Sequence, residues 1–269
     1  MTTADAPAVD LAPMWVPLLR RLTDTIPAWG LWKNADAALA GHGDFDSTAP
    51  SSDWAAITAA FQEWATEHGF GPATACHHVP GVLFLVAVDR ANARLVELDV
   101  NARKYFRGWT MFRPEALAAL MEIDERGFRR VRPGAEAVIL LTQNGMRWGG
   151  RPDVPGLRRK RVADLLRSDP EGVAAAARLF GPARGALVRL AGRVERGGWS
   201  RPDALSVEAY AVARALAAPG ILFTRVWAKR VKRRCPVLVS IFSNERRVPP
   251  DVDRWIEGVE RDHVVLEAG

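Results

Sequence analysis

The chain has 269 residues, 48% of them apolar and 25% charged, and a formal net charge of +6. That size and balance fit one large domain or two small ones around a sizeable core, and no apolar run reaches the roughly 20 residues that cross a bilayer. The opening MTTADAPAVD lacks the basic and apolar regions of a secretory signal, so the expectation is a soluble, cytoplasmic protein with no membrane partner.

Cys76 and Cys235 are too few for a disulfide framework or a zinc cluster, and read as buried thiols. The five histidines (42, 68, 77, 78 and 263) form no HExxH pair. Charge divides unevenly. Residues 1–120 carry 9 basic and 13 acidic side chains, and residues 121–269 carry 28 and 18. A basic half attracts phosphate-rich partners, although 32 of the 37 basic residues are arginine, a bias that genome composition also produces.

A first helix is predicted from Pro13 to Leu22, with Trp15, Leu18, Leu19 and Leu22 at helical spacing. AWGLW (28–32) reads as a buried strand, NADAALAG as a helical turn stopped by glycine, and DFDS as a strand edge. The clearest helix follows Ser52 or Asp53 as cap. It places Trp54, Ile57, Phe61 and Trp64 on one face and ends at Gly69. VLFLVAVDRANARLVELDVN reads as a β-hairpin turning at 89–93. From Pro114 onward helices are predicted at 115–123, 134–148, 156–168, 170–180, 182–196 and 204–217. A strand is predicted at 235–242 and a last helix at 250–261. The expected fold class is α/β (α+β). A small mixed-sheet core over 1–113 precedes a mostly helical region over 114–269, with the boundary falling near 114–133.

The chemistry centres on AGHGDFDST (40–48). In a strand, residues i and i+2 share a face, so Asp44 and Asp46 project together while Phe45 turns into the core. Adjacent carboxylates repel unless a cation joins them, and a hard divalent ion suits oxygen ligands. Gly43 permits a close approach of a ligand or an unusual turn. RLVELDVN (94–101) supplies a third acid, because Glu97 and Asp99 alternate with apolar Val96, Leu98 and Val100. Either acid can join the pair.

The order strand, turn, helix, D-h-D, helix, then a strand with a third acid resembles the nucleotidyltransferase superfamily, the fold shared with DNA polymerase β. The chain looks like a divergent, bacterial-type member. The resemblance covers roughly residues 28–112. Nine residues separate Asn34 from Asp44, which matches the family's spacing, whereas Lys33–Asn34 stands where that family has Gly–Ser. The resemblance implies transfer of a nucleoside monophosphate from a nucleoside triphosphate such as ATP, using Mg²⁺ or Mn²⁺. Asp44, Asp46 and Asp99 would hold the metal, and Lys33, Asn34 and Gly43 would face the nucleotide, Lys33 supplying charge and Asn34 an amide. The acceptor is open between a small molecule, RNA and a protein. The competing expectation is an inactive protein of this fold that binds RNA or another acidic partner through its basic half.

Other features read more plainly. His42 is expected in a loop, and Cys76-His77-His78 lacks the ligands of a zinc site. RVWAKRVKRRCP (225–236) is either a solvated basic helix face or a nucleic-acid contact with Trp227 stacking on a base. Arg158, Arg159, Lys160 and Arg161 start a predicted helix. Four consecutive residues cannot share one helix face, so some are expected to point to solvent. Most of the ten tryptophans are expected in the core.

Overall fold

The computed structural model describes residues 10–218 apart from positions 80 and 93. The predicted strand 235–242, helix 250–261 and basic stretch 225–236, with Cys235 and His263, lie outside the described residues. The fold is mixed α/β, as expected. Helix α1 (Ala12–Thr25) precedes β1 (Gly30–Lys33), α2 (Ala35–Leu39), β2 (Phe45–Thr48) and α3 (Trp54–Glu67). Strands β3 (Ala73–Val79), β4 (Val82–Asp89), β5 (Arg94–Asn101), β6 (Lys104–Phe106) and β7 (Trp109–Phe112) follow.

The predicted α3 forms on its predicted face, with Ile57, Phe61 and Trp64 buried and Trp54 half-buried. Its start differs from expectation. A 3₁₀ turn, Ser51–Asp53, leads in, and neither Ser52 nor Asp53 caps the helix with its side chain. Ser52 Oγ bonds Asp53 instead. Strand β3 was not predicted, since TACHHV shows no clean alternation.

The larger departure lies beyond Pro114. The predicted helix 115–123 is only α4 (Pro114–Ala118), followed by β8 (Met121–Ile123) and β9 (Arg129–Val131). These form an antiparallel hairpin, and β9 pairs in parallel with β1. Among the described residues the main sheet therefore has seven strands in the order β3-β4-β5-β2-β1-β9-β8, its last strand in chain order ends at residue 131, and the expected boundary at 113 falls inside it. Then come α5 (Pro133–Gln143), a small hairpin of β10 (Met146–Arg147) and β11 (Arg151–Pro152), α6 (Val154–Leu157), α7 (Arg159–Ser168), α8 (Pro170–Arg178), α9 (Arg184–Glu195) and α10 (Arg201–Leu216). The predicted helix 134–148 ends earlier, at Gln143, just before Asn144–Gly145. Asp169 caps α8 as expected, its side chain accepting from Gly172 N. Helices α5 and α8 touch closely enough that a Cβ on Gly134 would lie 2.0 Å from Asp169 O.

The sheet separates two apolar clusters. Leu31, Phe45, Leu98 and Val100 join α1 and α3 in one. Trp32, Phe106 and Val131 join the helices after residue 133 in the other. Alternation along the strands sets this division. Trp15 of α1 lies 4.2 Å from the Phe45 ring and 4.5 Å from Trp64, centroid to centroid. Aromatic contacts of this kind add to the burial of each ring. They fix Phe45 inward on the α1–α3 face, so Asp46 must point to the opposite face.

Candidate functional site

Asp46 and Asp99 are cross-strand neighbours. Strands β2 and β5 run parallel, with Phe45 beside Leu98 and Asp46 beside Asp99. Their backbones are therefore about 4.8 Å apart, the ordinary strand spacing. Both side chains emerge on the face away from α1 and α3. On the other side of β2, Lys33 registers with Asp46 across an irregularity in the β1–β2 pairing. Lys33 Nζ lies 3.0 Å from Asp46 Oδ2.

Lys104, which the sequence reading missed, completes the cluster. Its ammonium sits over the Trp32 ring, 3.9 Å from the centroid, and Lys33 Nζ is 4.7 Å from the same ring. Two cations thus flank one indole, a favourable arrangement for each. Burial pulls the Lys104 amine down to about 8, against the pull of Asp46 and Asp99 in the other direction. Burial also raises the Asp46 carboxyl, with Lys33 and Lys104 opposing and Asp44 adding to the rise. Asp99 is pushed up to about 9, first by burial, then by Glu97 and Asp46, a hydrogen bond with Glu97, and Asp44. Without a cation, burial and the neighbouring acids favour the protonated form of Asp99, with Glu97 hydrogen-bonded beside it.

Asp44 does not stand level with Asp46 inside the strand. It precedes β2, is exposed, and follows Gly43 at φ 111°. Its charge reaches Asp46 and Asp99 from the mouth of the site. Asn34 takes the left-handed conformation, φ 58°, which asparagine tolerates better than most residues. Its amide donates to Glu136 Oε1 at 2.9 Å, and Arg161 Nη2 donates to the same oxygen at 2.8 Å. Glu136, 1% exposed within α5, thus clamps the Lys33–Asn34 turn and joins it to α7. The signal for it was a single carboxylate inside the apolar run GAEAVILL.

Three buried polar atoms around this cluster lack a hydrogen-bond partner: Trp32 Nε1, Asn34 Oδ1 and Asp99 Oδ1. Buried polar groups are nearly always paired, so an unmet oxygen on Asp99, beside Asp46, and another on the turn after Lys33 fit a site built to receive something polar. The oxygen donors suit a hard cation such as Mg²⁺, which one or two carboxylates hold alongside substrate phosphates. A ready-made cage is a different matter. Among the described residues no three His, Cys, Asp or Glu side chains are grouped to hold a metal ion. Asp46 and Asp99 fit as a two-carboxylate site, with Lys33 placed against one of them.

The remaining candidates fall elsewhere. His42 is an exposed loop residue. His77 packs against Trp54, and burial raises the half-buried Cys76 thiol, leaving it uncharged. Among the described residues no helix is long and apolar enough to cross a membrane. No family model, curated protein or solved structure matches this chain.

Proposed function

We propose that the chain is a metal-dependent nucleotidyltransferase, transferring a nucleoside monophosphate from a nucleoside triphosphate to an acceptor. The observation that carries this reading is the register of Asp46 and Asp99 on adjacent parallel strands, with Asp99 Oδ1 buried and unpartnered. Asp46 and Asp99 would hold Mg²⁺ or Mn²⁺, with Asp44 adding charge at the mouth. When bound, the ion neutralises phosphate oxygens and acidifies the attacking hydroxyl. Lys33 and Lys104 sit where they can turn from the carboxylates to the triphosphate, supplying charge that the Gly–Ser turn of the family supplies through amides and a hydroxyl. Glu136 holds that turn in place, so positioning rather than covalent chemistry is the protein's share of the work.

The test is incubation with each labelled nucleoside triphosphate, Mg²⁺ or Mn²⁺, and fractionated RNA, protein and metabolites. Label should enter one fraction, and Asp46→Asn should lower that transfer at least about 100-fold, the usual scale for loss of transition-state charge stabilisation, with an unchanged circular dichroism spectrum. Wild-type rates in the variant would overturn the reading.

The Lys33–Asp46 ion pair favours a second reading, an inactive protein of this fold. An ammonium at 3.0 Å already neutralises the carboxylate. Absence of label under every condition supports that reading.

A further inference from the structure

Trp148 is 66% exposed. It is the one aromatic residue among the large exposed hydrophobic side chains of the described residues. An exposed tryptophan on a floppy loop would mean little. This one stands on a turn that is held from beneath.

Trp148 occupies the β10–β11 turn, followed by Gly149 and Gly150 at φ 78° and 65°. Both glycine amides donate to Glu208 Oε2, at 2.9 and 3.0 Å. Glu208 is 5% exposed, and its other oxygen accepts from Arg107 Nε. Arg107 also donates to Met146 O at 2.8 Å, and its guanidinium lies 4.6 Å from the Trp148 ring centroid. Trp199 Nε1 donates to Gly150 O at 2.9 Å. A buried carboxylate, a half-buried guanidinium and a second indole therefore fix the backbone of a turn whose own tryptophan is left in solvent.

The surroundings are basic. An open groove of about 740 Å³ is lined by Arg158, Arg159, Lys160 and Arg161, with Asp164 and Ser168. As expected of consecutive residues, Arg158, Arg159 and Lys160 are exposed, while Arg161 is half-buried. Arg158 adopts the left-handed conformation, φ 43°, and breaks α6 from α7, so it leaves the helical path. Arg158 and Lys160 have no ion-pair partner among the described residues, and Arg151 beside the turn is exposed. Groove and turn are joined by one loop. Arg159 bonds Gly197 O at 2.9 Å, and Trp199, two residues on, bonds Gly150. The two attachment points are thus no more than about 7 Å apart along the chain. The groove lining also includes Arg161, which bonds Glu136 and through it is linked to the Asn34 turn.

A rigid exposed indole and a cationic groove tied to one loop match a strand with ring faces and repeating negative charge. We propose that Trp148 and the Arg158–Arg161 groove bind single-stranded nucleic acid, one base stacking on Trp148 and the phosphates following Arg158 and Lys160. A duplex keeps its base faces covered, and an acidic peptide offers charge without rings. The binding stands on residues separate from the carboxylate pair, so it holds whether or not that site transfers nucleotides.

The experiment is fluorescence anisotropy of the full chain with a labelled 12-nucleotide RNA, the same sequence as DNA, and its duplex, across a range of salt. Residues 225–236 carry further cations, so differences from wild type are read rather than absolute affinity. Trp148→Ala should weaken single-strand binding about 5- to 100-fold, the range for loss of one stacked base, with the salt slope unchanged and Trp148→Phe restoring most of the affinity. Arg158→Ala with Lys160→Ala should lower the slope of log K against log salt by about 1.4, two single-strand phosphate contacts. Asp46→Asn should bind as wild type. RNA and DNA strands binding alike would place recognition in backbone and base, and a preference for RNA would add the 2′-hydroxyl; both support the proposal. Wild-type affinity in Trp148→Ala, equal binding of the duplex, or polyglutamate competing as well as unlabelled strand would each overturn it.

Discussion

Two acids of this protein, Glu208 buried and Asp99 half-buried, live in opposite circumstances. Glu208 has both oxygens engaged, one by Arg107 and the other by two turn amides. Asp99 has a buried oxygen without a partner, and burial with its acidic neighbours pushes its carboxyl well above the usual carboxylate range. The satisfied acid holds a loop in place. The unsatisfied one is costly to keep, and proteins tolerate such cost mainly where chemistry or binding uses it. Burial alone therefore says little about an acid's role; the state of its lone pairs says more.

The largest effect should come from the satisfied acid. Glu208→Ala strands the half-buried Arg107 guanidinium and two amides, and loss of one partner from a buried pair costs up to about 3–5 kcal/mol. Urea unfolding would measure it, and a loss under 1 kcal/mol would mean that Arg107 finds water. Asp99→Asn should act in the other direction. Below about pH 4 folded and unfolded wild-type chains both hold the Asp99 proton, and the two proteins should be equally stable. As pH rises toward 9 the unfolded wild type releases that proton while the folded state retains it, so wild type loses stability that the variant keeps. The variant's melting temperature should exceed that of wild type at pH 8, by on the order of 2–4 °C for each kcal/mol relieved. A lower melting temperature at pH 8 would show that Asp99 is ionised and paired in the fold. The smallest effect belongs to Trp148→Ala. Its side chain is exposed, and stability should stay within about 0.5 kcal/mol of wild type.

The same contrast explains what the sequence could and could not reveal. The helix at 54–67 was legible because Ile57, Phe61 and Trp64 repeat on one face. The juxtaposition of Asp46 and Asp99 was legible because acids alternate with apolar residues in FDST and RLVELDVN. The β8–β9 hairpin was not, since three-residue strands in MEIDERGFRRV are too short to show alternation among so many charges. Lys104 was hidden because its burial depends on Trp32, over seventy residues earlier. Trp148 was hidden for the opposite reason. A tryptophan is ordinarily assigned to the core, and only the glycine pair after it hinted at a turn. The exposure of Asp44 was not legible, because β2 begins one residue later than the motif suggested.

The parallel pairing of Leu31 with Arg130 has a consequence for the order of events during synthesis. β1 lies at the heart of the site, yet one of its two neighbours is made about 100 residues later. At the usual 5–20 residues per second, β1 and its backbone donors wait about 5–20 s with one side open. A chain stopped at 113 would keep that side open permanently. Translation pauses placed before residue 131 should therefore lower the yield of folded protein far more than pauses placed after it.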